Sequence, residues 1–267
     1  TVIDLPEKEK NLPKRKGLDF QPNVWQGETE RKYDVFYHLA WAGSAGEGRK
    51  DGFLQTENIR QTLEALALAK KLGCHTFIFA GSIMEAEVEA AKKAGLPPKG
   101  TNCYAFAKTA AGNLSRALAK EWGIRHVTGR ITNTFGVGEK SNRLICRLMD
   151  AWEKGEMPPL TAGEQMYDFL YVTDAARAFA AIGEKGTDGK TYIIGSGKPR
   201  PLRNWLEEAM AVTGGQGDFG KIPFSGVFLT ESDFDTSELE QDTGFCCRVP
   251  FAEGIGRLWH WRKEGLL

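Results

Sequence analysis

Two side chains near the middle of this chain, Tyr104 and Lys108, have the types and spacing to share chemistry. They stand four residues apart in an alanine-rich stretch, and on a helix that interval places both on one face. A phenol ordinarily keeps its proton up to a pH of about 10, and a neighbouring ammonium favours the phenolate. A phenolate formed in this way is a base, and beside a hydride acceptor it can oxidise an alcohol. Ser82 could supply a hydroxyl that orients the substrate oxygen. Tyr-x-x-x-Lys also occurs on many exposed helices as a plain surface contact, so the elements around it must decide.

Those elements read as strand, helix, strand. Residues 33–40 form a β-branched and aromatic run, 58–72 carry Ile59, Leu63, Leu66 and Ala69 at helical intervals before Gly73, and 75–80 form a second strand closing on Ser82. A helix over 104–122 and a strand over 126–131 repeat the pattern, which predicts a parallel sheet with crossover helices. Ser82 then falls at a strand C-terminus, where open parallel sheets bind ligands. Beyond Gly136 the alternation becomes irregular. Helices are predicted over 143–154, 173–182, 201–212 and 252–262, and short strands over 167–172 and 192–195. The reading is a Rossmann-type, doubly wound parallel α/β sheet over 1–136, with a smaller, mainly substrate-facing domain over 137–267.

Composition narrows the partners. Lys+Arg and Asp+Glu both total 35 in 267 residues, so no net positive charge recruits nucleic acid or an anionic membrane. The five cysteines are odd in number and show no metal-ligand spacing, and no metal is expected. Free thiols suit a reducing cytoplasm. No apolar stretch approaches the roughly 18 residues of a membrane span, and TVIDLPEKEK lacks the order of a signal peptide. His38 reads as a core or turn residue rather than a ligand. Trp205, Trp259 and Trp261 read as packing residues.

The stretches DVFYHLA at 34–40, NIRQT at 58–62, FIFAGS at 77–82, YAFAK at 104–108, GRITNTFG at 129–136 and YDFLYVTD at 167–174 together resemble the extended short-chain dehydrogenases that act on nucleotide sugars, the NAD-dependent epimerase/dehydratase family. The closing DTGF at 242–245, with Pro250 and a terminal helix, resembles the family as well. The resemblance implies a catalytic trio of Ser82, Tyr104 and Lys108. It implies that Leu39, Ala40 and Trp41 line the cofactor, that Asn58 supports them from behind, and that Thr132 meets the nicotinamide. Tyr104 and Lys108 would also hold the nicotinamide ribose, and Asn133 would contact the substrate diphosphate. Asp4 resembles the acid that grips the adenosine ribose and favours NAD over NADP, and Asp19 resembles the acid that reaches the adenine. A homodimer through long helices, including the one bearing Tyr104, is implied too.

Three departures bear on function. The family's opening strand, glycine-rich turn and helix, roughly 30 residues or more, have no counterpart here, so the sequence reads as an incomplete version of a longer protein. Were it complete, flanking strands or a partner chain would have to fill the gap in the sheet. Family dehydratases place Asp-Glu directly after the catalytic hydroxyl residue, whereas Ile83 and Met84 stand here, which disfavours dehydration. Glu85 and Glu87 read as a solvated helix start. Finally, Tyr167 replaces the arginine that binds substrate phosphate, leaving Arg200 or Arg143 as substitutes. The favoured function is a nucleotide-sugar epimerase or 4-keto reductase. The alternatives are a catalytically silent NAD-binding relative and a reductase of a non-nucleotide ketone.

Overall fold

The computed structural model describes residues 1–4, 6–12, 14, 16, 18–22 and 32–264. Its centre is a four-stranded, all-parallel sheet ordered β3 (Val35–His38), β4 (Thr76–Ser82), β5 (Arg125–Ile131) and β9 (Thr191–Ile194). A separate parallel pair is formed by β1 (Val2–Asp4) and β2 (Phe20–Pro22). Among the described residues β3 bonds to β4 alone, so direct pairing of the strands that flank the predicted gap does not occur. The expectation of a Rossmann-like parallel sheet holds, and β9 joins it from beyond position 136.

Strand alternation explains the layers. A β-strand turns successive side chains to opposite faces. Phe77 and Phe79 of β4 pack with Ala65, Leu66 and Ala69 of α1 (Gly52–Lys71) and Ala111 and Ala119 of α3 (Cys103–Glu121). Ile78 and Ala80 face the other way, against Ala175, Ala178, Phe179 and Ile182 of α5 (Val172–Lys185). Gly129 of β5 has no side chain because none fits: a Cβ there would lie 2.6 Å from Ile194 Cδ1 and 2.8 Å from Phe179 Cε1.

Helix α1 begins six residues before the predicted start at 58. Asp51 caps it, accepting from the N–H groups of Phe53 and Leu54, both at 3.0 Å. The predicted strand over 167–172 is divided. β7 (Met166–Tyr167) pairs antiparallel with β10 (Arg200–Pro201), while β8 (Phe169–Tyr171) pairs parallel with β6 (Asn133–Phe135). The division falls at Asp168, whose side chain is turned inward to accept from Thr132 and Ser196.

A second core, mostly aromatic, joins α4 (Leu144–Glu153), α6 (Leu202–Thr213) and α8 (Phe251–Lys263). Phe135, Phe169, Trp205 and Phe251 meet there at ring-centroid distances of 4.7–6.1 Å. Trp205 packs as the sequence predicts, and Trp259 and Trp261 lie against the same cluster. Arg262 ties α8 to Glu153 and Asp150 of α4. Helix α2 (Met84–Lys93) and the short α7 (Ser237–Thr243) complete the set.

Candidate active site

The C-terminal ends of β4 and β5 open into a polar cavity of about 360 Å³ lined by Ser82, Tyr104, Thr132, Asn133, Arg49, Arg143 and Arg147, among others. A second, more apolar cavity of about 260 Å³ adjoins it and shares Ile83, Asn133, Leu144, Arg147 and Tyr167. Together they form one cleft with a polar end and an apolar end.

Ser82 is the last residue of β4, and its placement is held from two sides. Its N–H donates to Glu85 Oε1 at 2.7 Å, and its Oγ accepts from the Met84 N–H at 3.3 Å. A Cβ at Gly81 would stand 2.8 Å from the same Glu85 oxygen, so the glycine leaves room for that carboxylate. Tyr104, on the first turn of α3, is 7% exposed. Burial pushes its phenol above the ordinary value, while the Ser82 hydroxyl and the charges of Arg49 and Arg143 oppose that rise. The Arg49 guanidinium lies 5.0 Å from the centre of the Tyr104 ring.

Lys108 shares the buried face of α3 as expected, but its ammonium is aimed elsewhere. It donates to the Ala80 carbonyl at 2.8 Å and sits 3.7 Å from the centre of a Trp41 ring. Desolvation lowers its pKa from 10.5 to about 7, opposed by Glu85. The expected lowering of the Tyr104 pKa by Lys108 is therefore not what the geometry delivers. Arginines on the open side of the phenol oppose its rise instead.

The resemblance-based residues fall into two groups. Asn58 braces the turn after β3: its Oδ1 accepts from the Ala42 N–H at 2.9 Å and its Nδ2 donates to the Ala42 carbonyl at 2.9 Å. Leu39 and Ala40 on that turn are exposed, and Trp41 is anchored by its Nε1–H to Gln55 Oε1 at 2.8 Å. Thr132 donates from Oγ1 to the buried Asp168 at 2.9 Å, and Asn133 Nδ2 donates to the Asp168 carbonyl at 3.1 Å. Asp4 closes β1, and Asp19 accepts the Val2 N–H on its carbonyl at 2.7 Å. Arg200 pairs with Glu208 and stacks 3.8 Å from the centre of a Trp205 ring rather than lining the cleft. Arg143 and Arg147 line the cleft in its place.

The two glutamates after Ser82 correct the sequence reading more sharply, since neither is a solvated helix start. Glu85 is 5% exposed and lies between the Ser82 N–H and Arg130, whose Nη2 is 3.4 Å away. Glu87, pointing the other way from α2, lines the apolar cavity. Burial pushes its carboxyl up to about 7, opposed by Arg49. Sequence reasoning also missed Arg49 and Arg147. Arg49 ends a single 3-10 turn (Gly46–Arg49) with no periodic pattern to mark it. His38 is a core residue as predicted, 3.1 Å from Thr62 Oγ1 and stacked between Phe77 and Phe79. Among the described residues no cluster of potential metal ligands occurs, and no helix is long and apolar enough to cross a membrane.

A dinucleotide's nicotinamide end fits these residues. The Lys108 ammonium has three donors and spends one on Ala80; the others would hold the nicotinamide ribose if the resemblance extends to this residue. When bound, that group would supply a hydride acceptor.

A parallel sheet layered by helices on both faces, with a hydroxyl, a phenol and an amine at its strand ends, defines a dinucleotide-binding-type α/β fold. A model of the NAD dependent epimerase/dehydratase family matches residues 20–195, and the chain belongs to that family. The Escherichia coli dTDP-glucose 4,6-dehydratase is 27% identical over 175 residues, 59% of this chain and 47% of that protein. An Arabidopsis thaliana trifunctional UDP-glucose 4,6-dehydratase/epimerase/reductase is 31% identical over 172 residues, 61% of this chain and 25% of that protein. The chain thus spans about half the length of the bacterial relative. Among solved structures, the UDP-N-acetylglucosamine 4-epimerase of Methanobrevibacter ruminantium superposes with a TM-score of 0.79 at 20% identity, covering 98% of this chain and 90% of that one. The Bordetella bronchiseptica enzyme WbmF in complex with NADH gives 0.76 at 20% identity, covering 97% and 81%.

Proposed function

We propose that this protein exchanges a hydride and a proton at a hydroxyl-bearing carbon of a nucleoside diphosphate sugar, with NAD as the hydride carrier, in an epimerisation or a 4-keto reduction. The observation that carries the reading is the convergence of Ser82 and Tyr104 on a cleft that continues past Asn133 to Arg143 and Arg147. Ser82 Oγ orients the sugar hydroxyl, and Tyr104 Oη takes its proton in oxidation or returns it in reduction. Arg49 and Arg143 stabilise the phenolate in the interval. The guanidinium groups of Arg143 and Arg147 suit a diphosphate, which favours a nucleotide sugar over an uncharged ketone.

Dehydration is disfavoured on the same ground as in the sequence. Ile83 and Met84 follow Ser82, and Glu85 is committed to the Ser82 N–H and Arg130. One observation favours a catalytically silent relative instead: Lys108 is turned toward Ala80 and Trp41. Turnover of UDP-, dTDP-, GDP- and CDP-sugars by the full chain with NAD decides between the readings. Conversion of at least one sugar, abolished in Tyr104→Phe, is expected. No conversion of any sugar sinks the catalytic reading.

Residues 137–267 are assigned mainly to substrate binding. A homodimer through α1 and α3 is supported by the exposure of Phe53 (92%), Phe106 (45%) and Leu114 (47%) on those helices. A cytoplasmic setting is supported by five free cysteines, two of them adjacent at 246 and 247.

A further inference from the structure

Among the described residues Glu87 is the one carboxyl on the walls of the two cavities. Its backbone N–H bonds to Ile83 within the first turn of α2, but among the described residues no donor reaches its side chain. The contrast with its neighbours is sharp. Glu85 holds the Ser82 N–H and Arg130, and Asp168 accepts from Thr132 and Ser196. Glu87 is half-buried, and its carboxyl is turned to the cavity rather than to a donor of the fold. A carboxyl kept under those conditions, facing a cavity, matches a ligand that brings its own donor.

The charged and titratable groups facing it from other elements are Arg49, Arg147 and Tyr167. Arg147, beside Arg143, suits phosphate, and the carboxyl suits a hydroxyl, which sorts the two halves of one substrate along the cleft. We propose that Glu87 is a specificity residue that accepts a hydrogen bond from a hydroxyl of the substrate's sugar, on a carbon other than the one being oxidised. This rests on the nucleotide-sugar reading above. The carboxyl can play the part because burial, opposed only by Arg49, leaves it close to neutrality near pH 7, so desolvating it further on binding costs little.

The test compares two affinities of the full chain with NAD present: UDP-glucose against UDP, and dTDP-glucose against dTDP. In the unaltered protein the sugar should strengthen binding. Glu87→Leu should erase most of that gain, roughly tenfold or more, with UDP and dTDP affinities unchanged. Glu87→Gln, which keeps the shape and a neutral acceptor, should lose less, about threefold. A purely structural glutamate would instead shift the thermal midpoint and weaken nucleotide and nucleotide sugar alike. If nucleotides bind but both variants keep the full sugar gain, or the unaltered protein shows none, the role of Glu87 is overturned and the general reading stands. If no nucleotide binds at all, the general reading fails and this one with it.

Discussion

Two ionisable groups, one packed behind the cleft and one on its wall, have been brought by burial to the same place from opposite sides. Behind the polar end, packed against Ala80 and Trp41, Lys108 falls from 10.5 to about 7. At the apolar end, Glu87 rises from 4.5 to about 7. Their settings differ in one respect that matters. Lys108 is anchored, with a carbonyl at 2.8 Å and an indole face at 3.7 Å, whereas Glu87 has no donor among the described residues. An anchored group can hold a fixed position through a reaction cycle, and an unanchored one is free to bond to whatever enters. Desolvation alone therefore does not mark a catalytic group. What separates the two is whether the protein or the ligand completes the hydrogen bonding.

The strongest break in that comparison would come at the polar end. Tyr104→Phe should lower turnover by about 10²–10⁴-fold with little change in the thermal midpoint, since the fold gives up only the contact between the phenol oxygen and the Ser82 hydroxyl. Steady-state kinetics beside thermal unfolding would check both halves, and turnover at the unaltered rate would remove Tyr104 from the mechanism. Next in size is Asp168→Ala. It strands the inward-facing donors of Thr132 and Ser196 and should cost about 3 kcal/mol in urea unfolding. Glu87→Leu should cost nothing measurable by the same assay, because no donor loses its partner.

The pH dependence of stability sharpens the contrast further. A base whose folded pKa is lowered leaves the unfolded chain holding more protons between the two values. Lys108 should thus make stability rise with pH between about 7 and 10.5, and Lys108→Met should flatten that limb. Glu87 has a raised folded pKa, so its contribution is fully present below 4.5 and is lost as pH climbs to about 7; Glu87→Gln removes that fall. Each slope is at most about 1.4 kcal/mol per pH unit. Slopes of the same sign for both groups would show that their environments have been misread. A smaller loss than at Asp168 is expected at Asn58→Ala, about 1–2 kcal/mol, from freeing the Ala42 N–H and carbonyl. A variant whose stability is unchanged would mean that the turn after β3 holds without its brace.

Much of this architecture is legible from the chain. The buried strands β4 and β5 and the long helix α3 follow from β-branched runs and alanine-rich helical spacing, and their ends fall close to the predicted positions. Ser82, Tyr104, Thr132 and Asn133 come to one cleft as the resemblance implies. The misreadings have a common cause. Glu85 and Glu87 are charged, and a charged residue read in one dimension defaults to solvent. Glu85 is buried because a backbone N–H and Arg130 receive it, and Arg200 is occupied because Glu208 and Trp205 lie beside it. Arg130 stands 45 residues from Glu85, and although Ser82, Trp205 and Glu208 lie within eight residues of the groups they meet, their spacing carries no periodic signal.

Local rules were enough to order strand, helix and strand, and to put a phenol and an amine on one face of α3, because dihedral preferences and the helical repeat act over a few residues. Which way Lys108 turns, that arginines rather than the lysine oppose the rise in Tyr104, and that Glu87 is left facing a cavity were settled only when distant segments closed around them. Desolvation and charge pairing depend on neighbours in space, and it is folding that supplies those neighbours.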